Sequence, residues 1–402
     1  MREDYSPHLD WTAAQAPLLR DELLRLANTN SGSFNPRGIR TVAETLAPRF
    51  TALGATAQWI DLPAYRSTAD NGTERERPIG PALRLRLRPE APLQIFLGGH
   101  LDTVYAADHA FQAAKFVDDD TVHGPGVADL KGGLLAMWLA LATLERSPWR
   151  ERIGWEVLLN PDEEIGSQGS APLLAEAARR NRFGLVFEPA FADGGLASSR
   201  KGSGNFEILV HGRAAHAGRN PEAGRNAIAA AARVIGAING LQRDGVTLNP
   251  GYVRGGGALN VVPDFCLFKF NVRTQQPSDE PWLQGELDRI IRTQGGDGIV
   301  FELRGGFTRP PKPLNGAQHR LMDWVADCGR ALDVPLDFKP TGGCCDGNNL
   351  AAYGLPNLDN MGVVGRDIHS EREMMRYSSL AERSRVSALL LMRLASGEWS
   401  WA

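Results

Sequence analysis

Several acidic residues and histidines stand at the ends of apolar runs or within glycine-rich loops, where such side chains can do chemistry. They are His100, Asp102, Asp129, Glu163, Glu164, Glu188 and His369. The two imidazoles and three of the carboxylates suit a pair of borderline cations such as zinc. A further acid, Glu163, remains free to move protons, so the sequence indicates a metal-assisted hydrolase.

Composition argues against several other classes of protein. The 402 residues carry a formal net charge of −3, and no basic block supports nucleic-acid binding. No apolar run approaches the ~20 residues of a membrane span, and the first residues show no secretory signal. The four cysteines form neither a Cys-x-x-Cys zinc pattern nor a disulfide framework. We therefore expect a soluble cytoplasmic protein of two domains, without a nucleic-acid or membrane partner.

Apolar runs alternate with stretches of helical spacing in the first half of the chain. We expect strands at 93–97, 155–159 and 184–187, and helices at 12–27, 37–54, 130–144 and 169–180. This alternation predicts an α/β fold with a parallel or mixed sheet wrapped by helices. Ligands bind beyond the carboxyl ends of strands in such sheets. Four candidate residues follow a predicted strand, namely His100, Glu163, Glu164 and Glu188.

The middle of the chain has a different order of elements. We expect strands at 206–211, 246–254, 259–273 and 299–304, and helices at 223–242 and 281–293. This β-α-β-β-α-β order is the ferredoxin-like pattern. Residues 305–313 are rich in Gly and Pro and are expected to form a return linker. The first pattern then resumes with a helix at 316–333, a loop at 341–349, a strand at 356–361 and a helix at 378–396. We therefore predict one discontinuous domain, residues 1–203 and 310–402, with a second domain inserted at 204–309.

Asp129 is the candidate bridge between two metal ions, because one shared carboxylate can hold a cocatalytic pair at ~3.5–4 Å. It lies in a glycine-rich turn, and its alternative role is to cap the helix that follows. His100 and Glu164 would bind one ion or the other, and Glu188 and His369 would complete the two sets.

Three further residues have candidate roles around the metal ions. Asp102 follows His100 by two residues, so on an extended segment it shares a face and can hold the imidazole tautomer. Glu163 and Glu164 are adjacent, so their side chains diverge, and one can bind metal while the other transfers protons. His216 lies in a loop of alanine and glycine where an imidazole would stand clear.

Two other kinds of active site are not indicated. The segment Gly124–Lys131 looks like a phosphate loop, but it has neither the dinucleotide-binding nor the Walker spacing. No Gly-x-Ser-x-Gly elbow is present, which argues against a serine hydrolase.

Together these motifs resemble those of the dizinc peptidases that include glutamate carboxypeptidase, aminoacylase, acetylornithine deacetylase and succinyl-diaminopimelate desuccinylase. The shared motifs are His-x-Asp-Thr-Val, Gly-Pro-Gly-x-x-Asp-x-Lys-Gly-Gly, Asp-Glu-Glu-x-Gly-Ser and a late histidine. The resemblance spans nearly the whole chain. It implies a mixed-sheet peptidase domain with helices on both faces, together with an inserted ferredoxin-like dimerisation or lid domain.

The resemblance implies two Zn²⁺ ions per chain, with Co²⁺ or Mn²⁺ as substitutes. One ion would take His100, Asp129 and Glu188, and the other would take Asp129, Glu164 and His369. Glu163 would be the general base and Asp102 would orient His100. The peptide bond after Asp129 is expected to be cis.

The glutamate carboxypeptidase branch of that family is the most similar. In that branch, residues matching Asn260 and Arg273 hold the free α-carboxylate of the substrate, a role that suits a guanidinium. The residue matching His216 reaches the site of the partner subunit and stabilises the oxyanion.

The same branch resemblance adds three residues to the candidate substrate site. They are Lys201, Gly342 and Gly343. Two pairs near them depart from the pattern. Cys344-Cys345 stands where small glycine or serine is more usual, and Asn348-Asn349 is bulkier than expected.

The sequence therefore predicts a homodimeric dizinc exopeptidase or amidohydrolase acting on a small peptide or an N-acyl amino acid. Water deprotonated by Glu163 would attack an amide carbonyl next to a free carboxylate, and Glu163 would then protonate the leaving amine. An N-acyl-amino-acid deacylase is an alternative with the same chemistry. A catalytically silent metal-binding dimer is another, although it would not need a base beside a full ligand set.

Overall fold

The computed structural model describes residues 3–401. Its α-helices are α1 (Ser6–Gln15), α2 (Arg20–Ala27), α3 (Pro36–Thr51), α4 (Gly132–Glu145), α5 (Ala171–Arg180), α6 (Ala227–Asn239), α7 (Asp279–Gln294), α8 (Gly316–Ala331), α9 (Asp346–Ala352) and α10 (Ser378–Ser396). Its strands are β1 (Thr56–Ile60), β2 (Tyr65–Thr68), β3 (Glu74–Arg77), β4 (Ala82–Leu87), β5 (Leu93–His100), β6 (Lys115–Phe116), β7 (Thr121–His123), β8 (Ile153–Asn160), β9 (Phe183–Val186), β10 (Leu196–Arg200), β11 (Gly202–His211), β12 (Val246–Gly255), β13 (Phe265–Thr274), β14 (Val300–Arg309), β15 (Phe338–Thr341), β16 (Asn357–Leu358), β17 (Gly365–Arg366) and β18 (Met374–Arg376).

Six strands form a central mixed sheet in the order β1-β4-β8-β5-β9-β16. β4 runs antiparallel to its neighbours β1 and β8, and the other pairs are parallel. Side chains of β5 alternate between two apolar layers. Ile95 and Leu97 pack in the larger core with α4 and α10, whereas Phe96 packs with α5 and α9 on the opposite face. Helices therefore cover both faces of a mixed sheet, as predicted.

The carboxyl ends of β5, β8 and β9 meet at one edge of this sheet. His100 is the last residue of β5 and lies opposite Asn160, the last residue of β8. Glu163 and Glu164 follow β8 in a short 3-10 turn, and Glu188 follows β9 by two residues. The topology thus brings these acids to the end of the strand that carries His100.

The second sheet is antiparallel and has the order β12-β13-β11-β14. Together with α6 and α7 it gives the chain order β-α-β-β-α-β, so the predicted ferredoxin-like unit is present. Cys266, Phe268, Phe270 and Val272 of β13 pack with α6 and α7 in an apolar core separate from that of the central sheet. Arg273 lies on the opposite face of β13, because side chains alternate along a strand.

The expected linker at 305–313 is partly wrong, because residues 305–309 complete β14. Gly305 has a φ of +85° and lies opposite Phe206 of β11. A Cβ atom there would lie 2.1 Å from the carbonyl oxygen of Asn205. Glycine is therefore required by the close approach of two strands, and it does not mark the end of one.

Three other elements differ from the expected ones. The helix expected at 12–27 is divided into α1 and α2 by a 3-10 turn, since Pro17 lacks a backbone N–H. The strand expected from 259 begins at Phe265, because a turn and then Pro263 precede it. The loop expected at 341–349 contains the start of α9, where the Sγ of Cys345 accepts the backbone N–H of Gly347.

One stretch, Val127–Glu145, is long and apolar enough to span a membrane by length and composition alone, although no membrane span was expected from the sequence. Its most apolar window is 94% buried within the fold. It includes α4, which packs in the core between β5 and α10. We therefore interpret this stretch as a core helix.

Candidate metal centre and active site

Asp129 lies between the two histidines of the predicted site. Its Oδ1 is 3.1 Å from Nε2 of His100, and its Oδ2 is 3.2 Å from Nε2 of His369. Oε2 of Glu164 lies 3.2 Å from the same His369 nitrogen, and Oε2 of Glu188 lies 3.9 Å from the His100 nitrogen. Two sets of candidate ligands thus share one carboxylate, as a dinuclear metal site requires. The peptide bond after Asp129 is cis, as the resemblance implied.

The donors in this cluster fit ions of the zinc type. His100, Asp129 and Glu164 offer ligand atoms within 4.8 Å of one another, and so do His100, Glu163 and Glu188. Oε1 of Glu188 is buried without a hydrogen-bond partner among the described residues, which is costly unless a cation or a proton meets it. Imidazole nitrogens and carboxylate oxygens are ligands that zinc accepts. The structure therefore gathers all five residues predicted as metal ligands.

The gathered groups shift one another's pKa values. Burial disfavours the charged imidazole of His100, but its hydrogen bonds to Asp102 and Asp129 raise its pKa well above the ordinary value. Burial raises the pKa of Glu188, and the charge of Glu163 adds to that rise. A divalent cation would oppose both shifts, since it favours neutral imidazole and ionised carboxylate. The cluster is thus electrostatically suited to a cation.

Asp102 supports both His100 and the turn that carries the two glutamates. Its carbonyl oxygen lies 2.9 Å and its Oδ1 3.4 Å from Nδ1 of His100, so the backbone shares the orienting contact predicted for the carboxylate. The carboxylate also accepts the backbone N–H groups of Glu163 and Glu164 and the hydroxyl of Ser33. One buried acid therefore fixes a histidine and the acid pair relative to each other.

Glu163 is buried beside the candidate ligands and lies opposite a guanidinium. Its Oε1 is 2.8 Å from Nη1 of Arg309. Burial raises the pKa of Glu163 to about 8, against the opposing charges of Arg309 and His100. A carboxyl group with a raised pKa is suited to take up and return a proton. Arg309 was not predicted from the sequence, because it lies in the segment interpreted as a linker.

Glu373 is another buried residue near the site whose role was not predicted from the sequence. Its Oε1 accepts the backbone N–H groups of Ala128 and Asp129, and its Oε2 accepts the N–H of Gly126 and the hydroxyl of Tyr105. Burial raises its pKa to about 7, although the backbone donors lower it. This carboxylate therefore holds the turn that aims Asp129. The sequence offered no signal for it, because Glu373 lies 244 positions from Asp129 in the chain.

Arg273 faces the loop that contains Gly342 and Gly343. Its Nη1 lies 3.0 Å from Sγ of Cys344, and that thiol donates to the carbonyl oxygen of Lys201 at 3.0 Å. Lys201 and Gly342 also line one cleft. The structure thus brings these predicted substrate residues together, and the unexpected cysteine connects them.

Asn348 belongs to the other pair that departs from the family pattern. Its side-chain amide donates to the carbonyl oxygens of Lys201 at 2.9 Å and of Pro310 at 2.8 Å. These residues flank the inserted unit, directly before β11 and directly after β14. The larger side chain of Asn348 is accommodated because it satisfies one backbone carbonyl group on each of the two segments that join the inserted unit to the rest of the chain.

His216 and Asn260 lie close together in the inserted unit. The backbone N–H of Ala217 donates to the carbonyl oxygen of Asn260, and His216 forms a bridge with Val261. Nδ1 of His216 accepts the backbone N–H groups of Gly218 and Arg219, which leaves Nε2 to carry the proton. In residues 3–401 neither the His216 nor the Asn260 side chain has a hydrogen bond or ion pair to the acid–histidine cluster.

Comparison with known sequences agrees with this geometry. Residues 96–393 match the profile of peptidase family M20/M25/M40. Carboxypeptidase G2 from Pseudomonas sp. (strain RS-16) is 27% identical over 395 residues, covering 96% of this chain and 91% of its own. Succinyl-diaminopimelate desuccinylase from Methylorubrum extorquens is 29% identical over 333 residues, covering 76% and 83% of the two chains.

Solved structures show the same fold at low sequence identity. A tripeptidase from Staphylococcus aureus is similar with a TM-score of 0.72 at 20% identity, covering 95% of this chain and 99% of its own. An M20 family metallo-carboxypeptidase from Sulfolobus solfataricus has a TM-score of 0.71 at 15% identity, covering 92% and 97%. The chain therefore belongs to peptidase family M20/M25/M40, a metal-dependent family, and is a metallo-exopeptidase or amidohydrolase.

Proposed function

We propose that this chain is a dizinc carboxypeptidase that hydrolyses the amide bond next to a free α-carboxylate. One observation carries the proposal: Glu163 lies between a cluster of metal ligands sharing Asp129 and the guanidinium of Arg309. The side chain of His369 is 51% exposed, so the cluster is open to a substrate. A proton-transfer group between a metal pair and a carboxylate-binding cation is what this reaction needs.

The two ions would be held by five residues of this chain. We assign His100, Asp129 and Glu188 to one ion, and Asp129, Glu164 and His369 to the other. Bound zinc would polarise the scissile carbonyl and lower the pKa of the attacking water. Because these ligands bind metal when deprotonated, the ions should be released as the pH falls.

Glu163 performs both proton transfers in this proposal. It takes a proton from the attacking water and returns it to the amine that leaves. The carboxylate of Asp102 accepts the backbone N–H of Glu163 at 3.2 Å and so holds that backbone in place. Glu163 therefore changes protonation while its backbone stays fixed.

The free carboxylate of the substrate would bind on the Arg309 side of Glu163. Arg273 is also there, since Cys344 contacts both arginines through its thiol and its carbonyl oxygen. A guanidinium can grip both oxygens of a carboxylate. Lys201, Gly342 and Gly343 would shape this part of the site.

We further propose a homodimer in which each subunit supplies His216 and Asn260 to the other. The imidazole of His216 is exposed and carries its free donor on Nε2, as an oxyanion donor requires. β12 is an edge strand with exposed Tyr252 and Val253, and the Leu259 side chain beyond it is fully exposed. Proteins usually cover such edges, often across a twofold axis.

We also propose how the chain is divided into domains and where the protein is located. We divide the chain into residues 1–203 with 310–402, and 204–309, and the separate apolar core of the inserted unit supports this division. We also propose a cytoplasmic location.

Two alternatives have different observable consequences. An N-acyl-amino-acid deacylase uses the same machinery but is selective for the acyl group, and the similarity to a desuccinylase favours testing it. A silent metal-binding dimer would hold metal and hydrolyse nothing.

The test combines metal analysis with a substrate panel. Protein dialysed against dilute zinc should contain two metal ions per chain by elemental analysis, and one ion with full activity would contradict the bridging role of Asp129. Zinc- or cobalt-loaded protein would be assayed on dipeptides, N-acyl amino acids and their C-terminal amides. Hydrolysis of free acids but not of amides supports the carboxypeptidase; no hydrolysis at all favours the silent dimer.

A further inference from the structure

A cleft of about 400 Å³ opens directly beside the metal centre, on the side of Glu164. This volume is within the range of ~300–1,000 Å³ typical of ligand clefts. Its lining includes Glu164 and Ile165, Thr103 and Val104, and also Phe34 and Arg77. The sequence predicted no role for either Phe34 or Arg77.

The wall around Phe34 is held rigidly. Thr103 N–H donates to the carbonyl oxygen of Ser31 at 3.0 Å, and Ser33 N–H donates to the carbonyl oxygen of Thr103 at 3.3 Å. The Ser33 hydroxyl donates to Asp102 at 2.7 Å, and Asn35 on the other side caps α3. Phe34 is therefore fixed relative to the metal ligands by its two neighbours.

Arg77 lines the cleft and is placed to bind an anion there. Its guanidinium carbon lies 3.4 Å from the centroid of the Phe34 ring. Stacking uses the face of a guanidinium and leaves its in-plane N–H donors free. Among residues 3–401, no acid, including Asp108 on the same cleft, pairs with Arg77 within 4.0 Å.

The strand that carries Arg77 is also anchored. Tyr65 lies opposite Arg77 in the β2–β3 hairpin, and its ring packs edge-to-face on Phe34 at 5.4 Å. The Nζ of Lys269 donates to Thr68 in the same hairpin at 2.8 Å. The guanidinium therefore belongs to a supported cluster, although its side chain is exposed.

On the side assigned to the substrate carboxylate, Arg309 contacts Glu163, whereas the cleft is lined by the neighbouring Glu164. Glu163 points to Arg309, and Arg309 in turn contacts Cys344 beside Arg273. Glu164 lines the cleft. An amide held at the metal centre with its amine portion toward Arg309 would thus extend its acyl portion along the cleft.

We infer that this cleft binds the acyl portion of the substrate, and that the acyl group has an apolar, ring-sized body with an anionic group at its far end. This inference rests on the proposed function. The apolar body fits between Val104, Ile165 and the Phe34 ring. The anion meets the in-plane donors of Arg77. The cleft would therefore select among amides that share the same C-terminal amino acid.

The test uses three substrates that differ only in the acyl group: N-acetyl, N-benzoyl and N-(4-carboxybenzoyl) derivatives of one amino acid. For the zinc-loaded enzyme, kcat/KM should increase in that order. Arg77→Gln should reduce the 4-carboxybenzoyl to benzoyl ratio roughly tenfold, the size expected for a hydrogen bond to a charged group. Phe34→Leu should reduce the benzoyl to acetyl ratio about threefold through lost ring contacts.

Arg75→Gln is the matched control, since Arg75 lies on the same strand but does not line the cleft. It should leave both ratios at their wild-type values. Equal ratios in wild type and Arg77→Gln, or the same change in Arg75→Gln, would overturn the inference. Thermal unfolding of each variant shows whether a changed ratio accompanies a loss of folding.

Failure of the proposed function gives a different result. If the enzyme hydrolyses none of the three substrates, calorimetric titration of the metal-loaded protein with terephthalate and benzoate still tests the cleft. Tighter binding of terephthalate that is lost in Arg77→Gln would support the cleft alone. Equal binding of both acids would overturn it.

Discussion

The metal centre and the inserted domain contribute to the proposed site in different ways. Of the five candidate ligands, His100, Asp129, Glu164 and Glu188 are buried or partly buried and His369 is exposed, and all five already lie together within one chain. His216 and Asn260 of the inserted domain are exposed and meet none of those ligands. The fold of one chain therefore gathers the candidate metal ligands, whereas in our proposal the oxyanion donor comes from a second subunit.

The physical reason lies in the cost of burying charge. Buried carboxylates need donors or cations, so Asp102 and Glu373 each accept several hydrogen bonds that hold the metal-binding loops. An exposed imidazole such as His216 has water as a partner and needs no such network. Its own hydrogen bonds therefore hold the first region in place, whereas in our proposal the second region is completed by a partner subunit.

Glu163→Gln tests the region that is complete within one chain and should have the largest effect. The amide keeps the shape but cannot accept a proton, so kcat should fall by roughly 10²–10⁴-fold. Metal content by elemental analysis should stay at the wild-type value. Loss of metal with preserved turnover per bound ion would mean that Glu163, and not Glu164, is the ligand.

His216→Ala tests the region that we expect to act across the dimer. Removing an oxyanion donor should lower kcat by ~10²–10³-fold. Mixing this variant with Glu163→Gln should restore activity, because one site of each mixed dimer then combines an intact Glu163 with an intact His216. If the subunits exchange and the mixture stays inactive, His216 does not act on the other subunit.

Glu373→Gln tests whether support of the Asp129 turn matters for metal binding. The amide nitrogen would face a backbone N–H or the Tyr105 hydroxyl, so at least one hydrogen bond to the turn is lost. Loss of a supporting partner typically weakens metal binding by ~10–100-fold. Competition with a chelator measures this affinity. Glu371→Gln is the control, since the Glu371 side chain is 67% exposed, and equal affinities of both variants would contradict the role of Glu373.

Arg273→Ala should have the smallest effect of the four. If Arg273 holds the substrate carboxylate beside Arg309, its loss should raise KM for free-acid substrates roughly tenfold, as for one hydrogen bond to a charged group. KM for the matching C-terminal amides should change little. Steady-state kinetics on matched acid and amide pairs measure this, and equal changes would indicate a structural role for Arg273.

The class of fold and the candidate metal ligands could be predicted from the sequence alone. Strand–helix alternation predicted the mixed sheet, and the acids after its strands predicted where ligands would gather, because parallel strands end at one edge. The β-α-β-β-α-β order predicted the inserted unit, because the spacing of apolar residues along the chain indicates each of its strands and helices. His100, Glu164 and Glu188 were predicted in this way, whereas Asp129 was predicted from its glycine-rich turn.

Only the tertiary structure revealed the residues that support these ligands. Arg309 lies in a segment whose glycines and prolines suggested a linker, and only the pairing of β14 with β11 places it against Glu163. Glu373 meets the Asp129 turn from 244 positions away in the chain. Phe34 and Arg77 come together through a hairpin contact that no local pattern reports. Such contacts join distant segments, and local spacing carries no information about which of them meet.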